Sequence, residues 1–490
     1  MLVRIWYCVL FILAFAGFAQ AQQADPVFSI RGSLDGEADE LAPQSIVPIP
    51  ETTTVQTLPV EEVGQEASGR ERAQQGARRS AEPIQALTRT GAPVFRRTLQ
   101  SEVDNGVFGG ETDLDRPTGL RVGNFEIFPE LRTGGGWTNN VQGVAGGDGG
   151  SFYRIAPSVR AVSDWSRHQL SLSLRGSYQG FPENQDDNDL IIGGDLAVRL
   201  DLNDFTIADI AVAYEGSPES RSSFEVDQSD ITTPFAHDIA ANAALTREIG
   251  LIDATLRGGV DRSFFTGGET SSGSSIDNQG RNNTVLLGTA RLRYGRDAIL
   301  SPFAEVTALT RLFDQGCDDN SCQDRNAPGY ALRGGLVIDR GAKLTGELGV
   351  GWRSEHPEAS DLDPLQGVTL DGSLIWSPSR LTTVSLTGTT DFDSTTITDS
   401  SGSILYSGGM TVQHSLTRNI ALDSTNEISW RDYQGIDQKE MDASTSVGLT
   451  WAFARYMALE TRYTHRWFNG SDADDAFQSD TIEAGVRIRR

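Results

Sequence analysis

From about Val122 to Arg490, apolar and polar positions alternate over stretches of roughly ten residues that recur at a spacing of about twenty, the period-two signature of strands with two unlike faces. In residues 168–178, Leu170, Leu172 and Leu174 share one face while Ser171, Ser173, Arg175 and Ser177 share the other. Residues 457–467 set Leu459, Thr461, Tyr463 and Trp467 against Glu460, Arg462, Thr464 and Arg466. Residues 481–489 set Ile482, Ala484, Val486 and Ile488 against Glu483, Arg487 and Arg489. Connections alternate in length. Short ones fall at 166–167, 203–204, 249–250, 296–297, 341–342, 378–379, 417–418 and 454–455. Long ones, mostly rich in Gly, Ser, Asp and Asn, fall at 143–150, 182–189, 215–230, 267–283, 315–328, 354–366, 391–402, 432–439 and 469–475. Eight short turns and nine long loops predict 18 strands, within a range of roughly 16 to 20, with both ends of the series on the short-turn side.

Alternating strands fit tandem β-sandwiches or one closed barrel. Sandwiches would group about seven strands per domain with linkers between them, and no linker interrupts residues 123–490. The polar face carries rows of arginines and carboxylates, whereas the other face carries small residues, Leu, Val and aromatics. Trp165, Phe205, Tyr294, Trp376 and Trp451 fall near the short turns, and Trp137, Tyr330, Trp352, Trp430 and Trp467 near the long loops. Two aromatic girdles bounding an apolar band are what a bilayer-spanning strand requires. Every backbone N–H and C=O inside hydrocarbon must pair, which a closed barrel achieves without edges. The fold expected is therefore all-β: a transmembrane antiparallel β-barrel of about 18 strands in the outer membrane of a Gram-negative bacterium.

The N-terminus has a different character. Arg4, the apolar run Ile5–Phe18 and Ala19-Gln20-Ala21 form a signal peptide ending near residue 21. Residues 22–122 are rich in Glu, Gln, Thr, Arg, Ala and Pro without sustained periodicity, which predicts a disordered periplasmic segment acting as a tether or a binding arm. The balance of 41 Lys+Arg against 67 Asp+Glu gives a net charge of -26, so nucleic acid is not an expected partner. Expected partners are outer-membrane lipid and lipopolysaccharide, the outer-membrane assembly machinery and, on one functional reading, periplasmic polysaccharide-export components. Cys317 and Cys322, close together in one loop of an exported chain, predict a disulfide stabilising that loop by at most about 2–3 kcal/mol.

Several stretches are familiar in form. Asp164-Trp165-Ser166-Arg167-His168, Leu174-Arg175-Gly176-Ser177-Tyr178, Leu256-Arg257-Gly258-Gly259-Val260-Asp261-Arg262, Leu370-Asp371-Gly372-Ser373-Leu374-Ile375-Trp376-Ser377 and Asp432-Tyr433-Gln434-Gly435-Ile436-Asp437 resemble the β-barrel porin type 2 family of outer-membrane proteins. The resemblance covers about 123–490 and implies a barrel fold and a diffusion-porin role, some members looking like outer-membrane partners of polysaccharide export. The chain departs from outer-membrane barrels at large in ending Ile488-Arg489-Arg490 rather than in an aromatic residue.

No nucleophile elbow, H-E-x-x-H, P-loop or C-x-x-C is present, so neither enzyme chemistry nor a cofactor is expected. The histidines His168, His237, His356, His414 and His465 are scattered singly. Asp318, Asp319 and Asn320, or Asp472, Asp474 and Asp475, could take a divalent cation but match no EF-hand pattern, and a solvated acidic rim is the simpler reading. The informative set is the inner wall. Strand parity points Arg154, Arg160, Arg175, Arg199, Arg257, Arg291, Arg293, Arg333, Arg353, Arg431, Arg462, Arg466, Arg487 and Arg489 inward. It does the same for Asp195, Asp201, Asp253, Asp261, Glu305, Asp339, Glu347, Asp371, Asp423, Glu427, Asp442, Glu460 and Glu483. Such a wall sets up a transverse field that sorts polar solutes, or simply stiffens the barrel with ion pairs. The function expected is a porin-like channel for passive passage of small polar solutes or ions. The alternatives are the conduit of an exopolysaccharide export machine and a non-conducting structural barrel.

Overall fold

The computed structural model describes residues 119–490, apart from 184–186, 225–229, 233, 267–268, 271–278, 296–297, 316–323, 380, 396, 398 and 472–474. The expected signal peptide, the 22–118 segment, the Cys317–Cys322 bridge and much of the acidic rim lie outside the described residues.

Eighteen antiparallel strands close into a barrel. The first six are β1 (Phe125–Thr138), β2 (Gly150–Ser163), β3 (His168–Gly180), β4 (Asp189–Asn203), β5 (Thr206–Pro218) and β6 (Phe235–Ile249). The next six are β7 (Ile252–Thr266), β8 (Asn283–Tyr294), β9 (Leu300–Phe313), β10 (Ala327–Asp339), β11 (Leu344–Glu355) and β12 (Leu365–Ser379). The last six are β13 (Thr382–Asp393), β14 (Gly402–Thr417), β15 (Ile420–Gln434), β16 (Lys439–Ala454), β17 (Met457–Asn469) and β18 (Phe477–Arg489). Each strand pairs with its sequence neighbours, and β1 closes on β18 from Glu130↔Arg489 to Thr138↔Thr481. Every short turn and long loop expected from the alternation joins the pair of strands anticipated for it. A three-residue strand, Leu120–Val122, pairs with the start of β1, so ordered pairing begins slightly earlier than the composition change suggests.

The two faces of each strand differ as the alternation requires. Leu174, Ile192, Leu256, Leu292, Val306, Leu348, Val350 and Ile482 stand exposed on the outside, where the solvent is hydrocarbon rather than water. Aromatics mark both edges of this band: Trp165, Phe205, Tyr294, Trp376 and Trp451 at one end, and Trp137, Tyr330, Trp352, Trp430 and Trp467 at the other, are all exposed. At the short-turn end, Gly250 and Gly295 take φ of +60° and +76°, a region a side chain would strain.

Candidate functional site

The charged residues assigned inward by parity alternate along their strands with the exposed apolar row, and the structure couples most of them with one another. Arg154 reaches Glu483 at 2.9 Å across β1, whose Gly134 and Gly136 stand between them with no side chain. Arg175 bonds Asp195, Arg293 bonds Asp253, and Arg199 lies 3.7 Å from Asp209. Arg462 meets Asp423 at 2.8 Å, Arg466 meets Asp442 at 2.5 Å and Arg431 meets Asp393 at 2.7 Å. Arg132 and Arg487 stand directly opposite one another, a repulsive arrangement relieved by Glu460, 3.8 and 3.4 Å away. Arg160 lies over the Phe128 ring at 4.5 Å. Glu427 stands opposite Ser444, and Asp261 opposite Ala240 and Val285.

The densest group lies on β8–β12. Arg291 forms a two-pronged pair with Glu347 at 2.9 and 2.7 Å and stands 3.6 Å from Glu305. Arg333 contacts Glu347 at 3.0 Å, Glu305 at 3.6 Å and Asp371 at 3.5 Å. Both guanidiniums sit over the Phe303 ring, at 3.9 and 5.2 Å. Phe303 lies over Gly335, where a Cβ would come within 2.6 Å of its ring. A flat aromatic floor thus lets two cations stack while their edges bond carboxylates. Arg257 is buried one strand away, opposite Thr289.

Nearer the long loops, Arg311 and Arg353 share Glu355, with Nε atoms both 2.9 Å from its carboxylate. The end of the β13–β14 hairpin lies against this group, inside the barrel. Arg311 donates to the Phe392 carbonyl at 2.8 Å, Arg353 sits 4.9 Å over the Phe392 ring, and Asn283 donates to Ser394 Oγ at 2.9 Å. Arg325 holds the Ser400 and Ile397 carbonyls at 2.5 and 3.1 Å. The hairpin therefore occupies lumen space over β8–β12.

A second segment crosses the mouth. In the β5–β6 loop, the Phe224 N–H donates to Glu440 Oε1 at 2.6 Å and its ring meets Tyr433 edge-on at 5.7 Å. These partners belong to β15 and β16, ten strands away and nearly opposite in the circle. Arg281 braces the loop through Glu219, with two contacts of 2.7 Å, and Arg221 ties it to Asp187 at 2.7 Å. At the rim Arg262 bonds Asp314 at 2.6 and 2.5 Å, and these bonds hold the Asp314 carboxyl below the usual carboxylate range.

A model of the family described as Putative beta-barrel porin 2 matches residues 115–490. The chain belongs to that family. It matches no curated protein sequence. Among solved structures it is similar to a BenF-like porin from Pseudomonas fluorescens Pf-5, at 11% identity over 75% of this chain and 100% of that one, with a TM-score of 0.38. It is also similar to OccK2 (OpdF) of Pseudomonas aeruginosa, at 12% identity over 74% and 96% of the chains, TM-score 0.37. The siderophore receptor PirA from Acinetobacter baumannii aligns at 8% identity over 76% and 81%, TM-score 0.35. The family and the closed barrel place the chain in the outer membrane.

Arg132, Arg311, Glu355 and Asp391 stand on the same face of the wall and are absent from the set that strand parity points inward. Arg311 shares parity with Glu305, and Glu355 with Glu347 and Arg353, so the alternation contained that signal. The loop expected at 354–366 takes in Glu355, whereas β11 runs through it.

Proposed function

We propose that the chain is an outer-membrane diffusion channel for small polar solutes and ions, and that its path runs along one side of the lumen. The observation supporting this is the uneven wetting of the inner wall. Among the pairs whose parity points inward, those on β7–β12 are 1–17% exposed. The inward pairs on β15–β18 and β1–β5, leaving out Glu215 and Arg487, are 7–30% exposed. The hairpin narrows the first sector and leaves the second lined with solvated pairs such as Arg154–Glu483 and Arg199–Asp209. Such pairs largely cancel at a distance, so the wall discriminates by size and local hydrogen bonding more than by net charge. Acidic loop residues should enrich cations at the mouth over about 8–10 Å at moderate salt. Membership of a porin family supports a channel rather than an enzyme.

Purified barrel should conduct in planar bilayers with a modest cation preference that fades as salt rises. Silence from folded, heat-modifiable protein would overturn the channel reading, and a firm anion preference would assign the field to the arginines. Both ends of the barrel sequence are proposed to be periplasmic, with long loops outside. A cysteine placed at Ser471 of a cysteine-free variant should be labelled on whole cells by an impermeant thiol reagent, and one at Ser379 should not. The reverse pattern would invert the topology.

A further inference from the structure

One seam of the wall is built differently from the others. The β12–β13 ladder stops at Gly372↔Gly388, although β12 continues up to Leu365 and β13 to Asp393. The neighbouring ladders do not stop: β11–β12 runs to Glu355↔Leu365 and β13–β14 to Asp393↔Ser403. The unpaired stretch includes Val368 and Leu370, both exposed on the lipid side, and Val368 stands opposite the girdle residue Trp352. The break therefore lies in the half of the wall nearest the long loops, extending below the girdle.

Side chains take the place of the missing ladder. Thr390 Oγ1 accepts from Leu370 N at 2.8 Å and donates to Leu370 O at 3.1 Å, and Thr390 N donates to Asp371 at 3.3 Å. Above them β13 and β14 slide behind β12. Phe392 and Ile404 carry the parity of the lipid-facing row, yet they are 0% and 3% exposed and pack on Leu365, with Tyr406 alongside. Ile404 covers Gly367 so closely that a Cβ there would meet it at 2.7 Å. The outer face of one hairpin thus lies on the inner face of its neighbour, as an apolar overlap. Continued in its own register, the ladder would pair Val368 with Phe392 and Thr369 with Asp391, apolar residues outward and polar ones inward. The same sequence therefore suits both a zipped and an overlapped seam, the condition for a two-state element. Unpaired backbone at this depth is tolerable only while covered by protein, and the overlap provides that cover.

We infer that the wall opens sideways between β12 and β13, giving the lumen a lateral passage into the outer leaflet for small, largely apolar solutes. The walls of the passage are Leu365, Val368, Leu370, Phe392 and Ile404, and the Thr390 hydroxyl is its latch. This route is separate from the axial path for polar solutes, because it lies on the opposite, drier side of the lumen.

The test uses full-length protein lacking its native cysteines. The pair Leu370→Cys and Thr390→Cys, once oxidised, clamps the seam at the latch. The probe is N-phenyl-1-naphthylamine, an apolar dye that brightens in lipid, added to cells expressing the protein. Reduced protein should raise the initial uptake rate several-fold over cells without it, and oxidation should abolish the rise while planar-bilayer ion conductance stays within about twofold. Uptake equal in both redox states, or no rise with reduced protein, would overturn the passage. A second pair, Val368→Cys and Phe392→Cys, can bridge only when the ladder zips. Its spontaneous oxidation in folded protein would support the two-state seam, and failure to bridge under forcing oxidation would refute it.

Discussion

Replacing residues 394–401 at the tip of the β13–β14 hairpin with a two-residue Asn-Gly turn should raise single-channel conductance several-fold. The tip lies over β8–β12, fixed by Asn283 to Ser394 and by Arg325 to the Ser400 and Ile397 carbonyls. Eighteen strands enclose more space than side chains alone can fill, so what occupies the lumen sets its bore. Asp393 and Ser403 pair in the present ladder, and a short turn between them preserves the strands. The barrel should remain heat-modifiable on gels. Unchanged conductance would mean that the hairpin does not bound the path.

Glu347→Ala should be the most damaging single substitution on the wall. It removes the two-pronged partner of Arg291 and a 3.0 Å partner of Arg333, where the side chains concerned are under 10% exposed. Removing one member of a buried pair leaves a desolvated charge and typically costs about 3–5 kcal/mol. Glu483→Ala makes a like change in the wetter sector, where Glu483 is 22% exposed and water can solvate Arg154 in its place; there the loss should be about 0–1 kcal/mol. Thermal unfolding in detergent compares the two. Equal losses would remove the distinction between a packed and a solvated sector, and with it the argument for where solutes travel. Arg291→Met combined with Glu347→Ala should recover much of the single-substitution loss, since both buried charges then go together.

The strand count, the two girdles and the strand face that each named arginine shares with its neighbours were legible because alternation encodes which face a residue occupies. Alternation is silent about stagger between strands, and stagger chooses partners. Arg291 and Glu347 stand on β8 and β11, with two strands between them, and no local pattern marks them as a pair. Phe303 shows the limit from the other side: an aromatic facing the lumen reads as an anomaly until Gly335 gives it a bed and two guanidiniums a roof. Phe392 and Ile404 carry outward parity and end up buried because the whole hairpin moves behind its neighbour. Where Phe224 docks depends on a loop long enough to cross the mouth, a property of length and not of pattern.

The seam where β18 meets β1 has a consequence for how the chain comes together. Gly134 and Gly136 approach the β18 backbone so closely that a Cβ would come within 2.5 and 2.2 Å of carbonyl oxygens, so this joint admits little error. Every other ladder joins strands adjacent in sequence and can zip as a hairpin extends. This one joins opposite ends of the barrel sequence, carries the largest loop-closure entropy and forms late. Until it does, the growing sheet presents two raw edges, and each is a template for a strand from another molecule. The hazard in the life of this barrel is thus the interval before its first and last strands find one another.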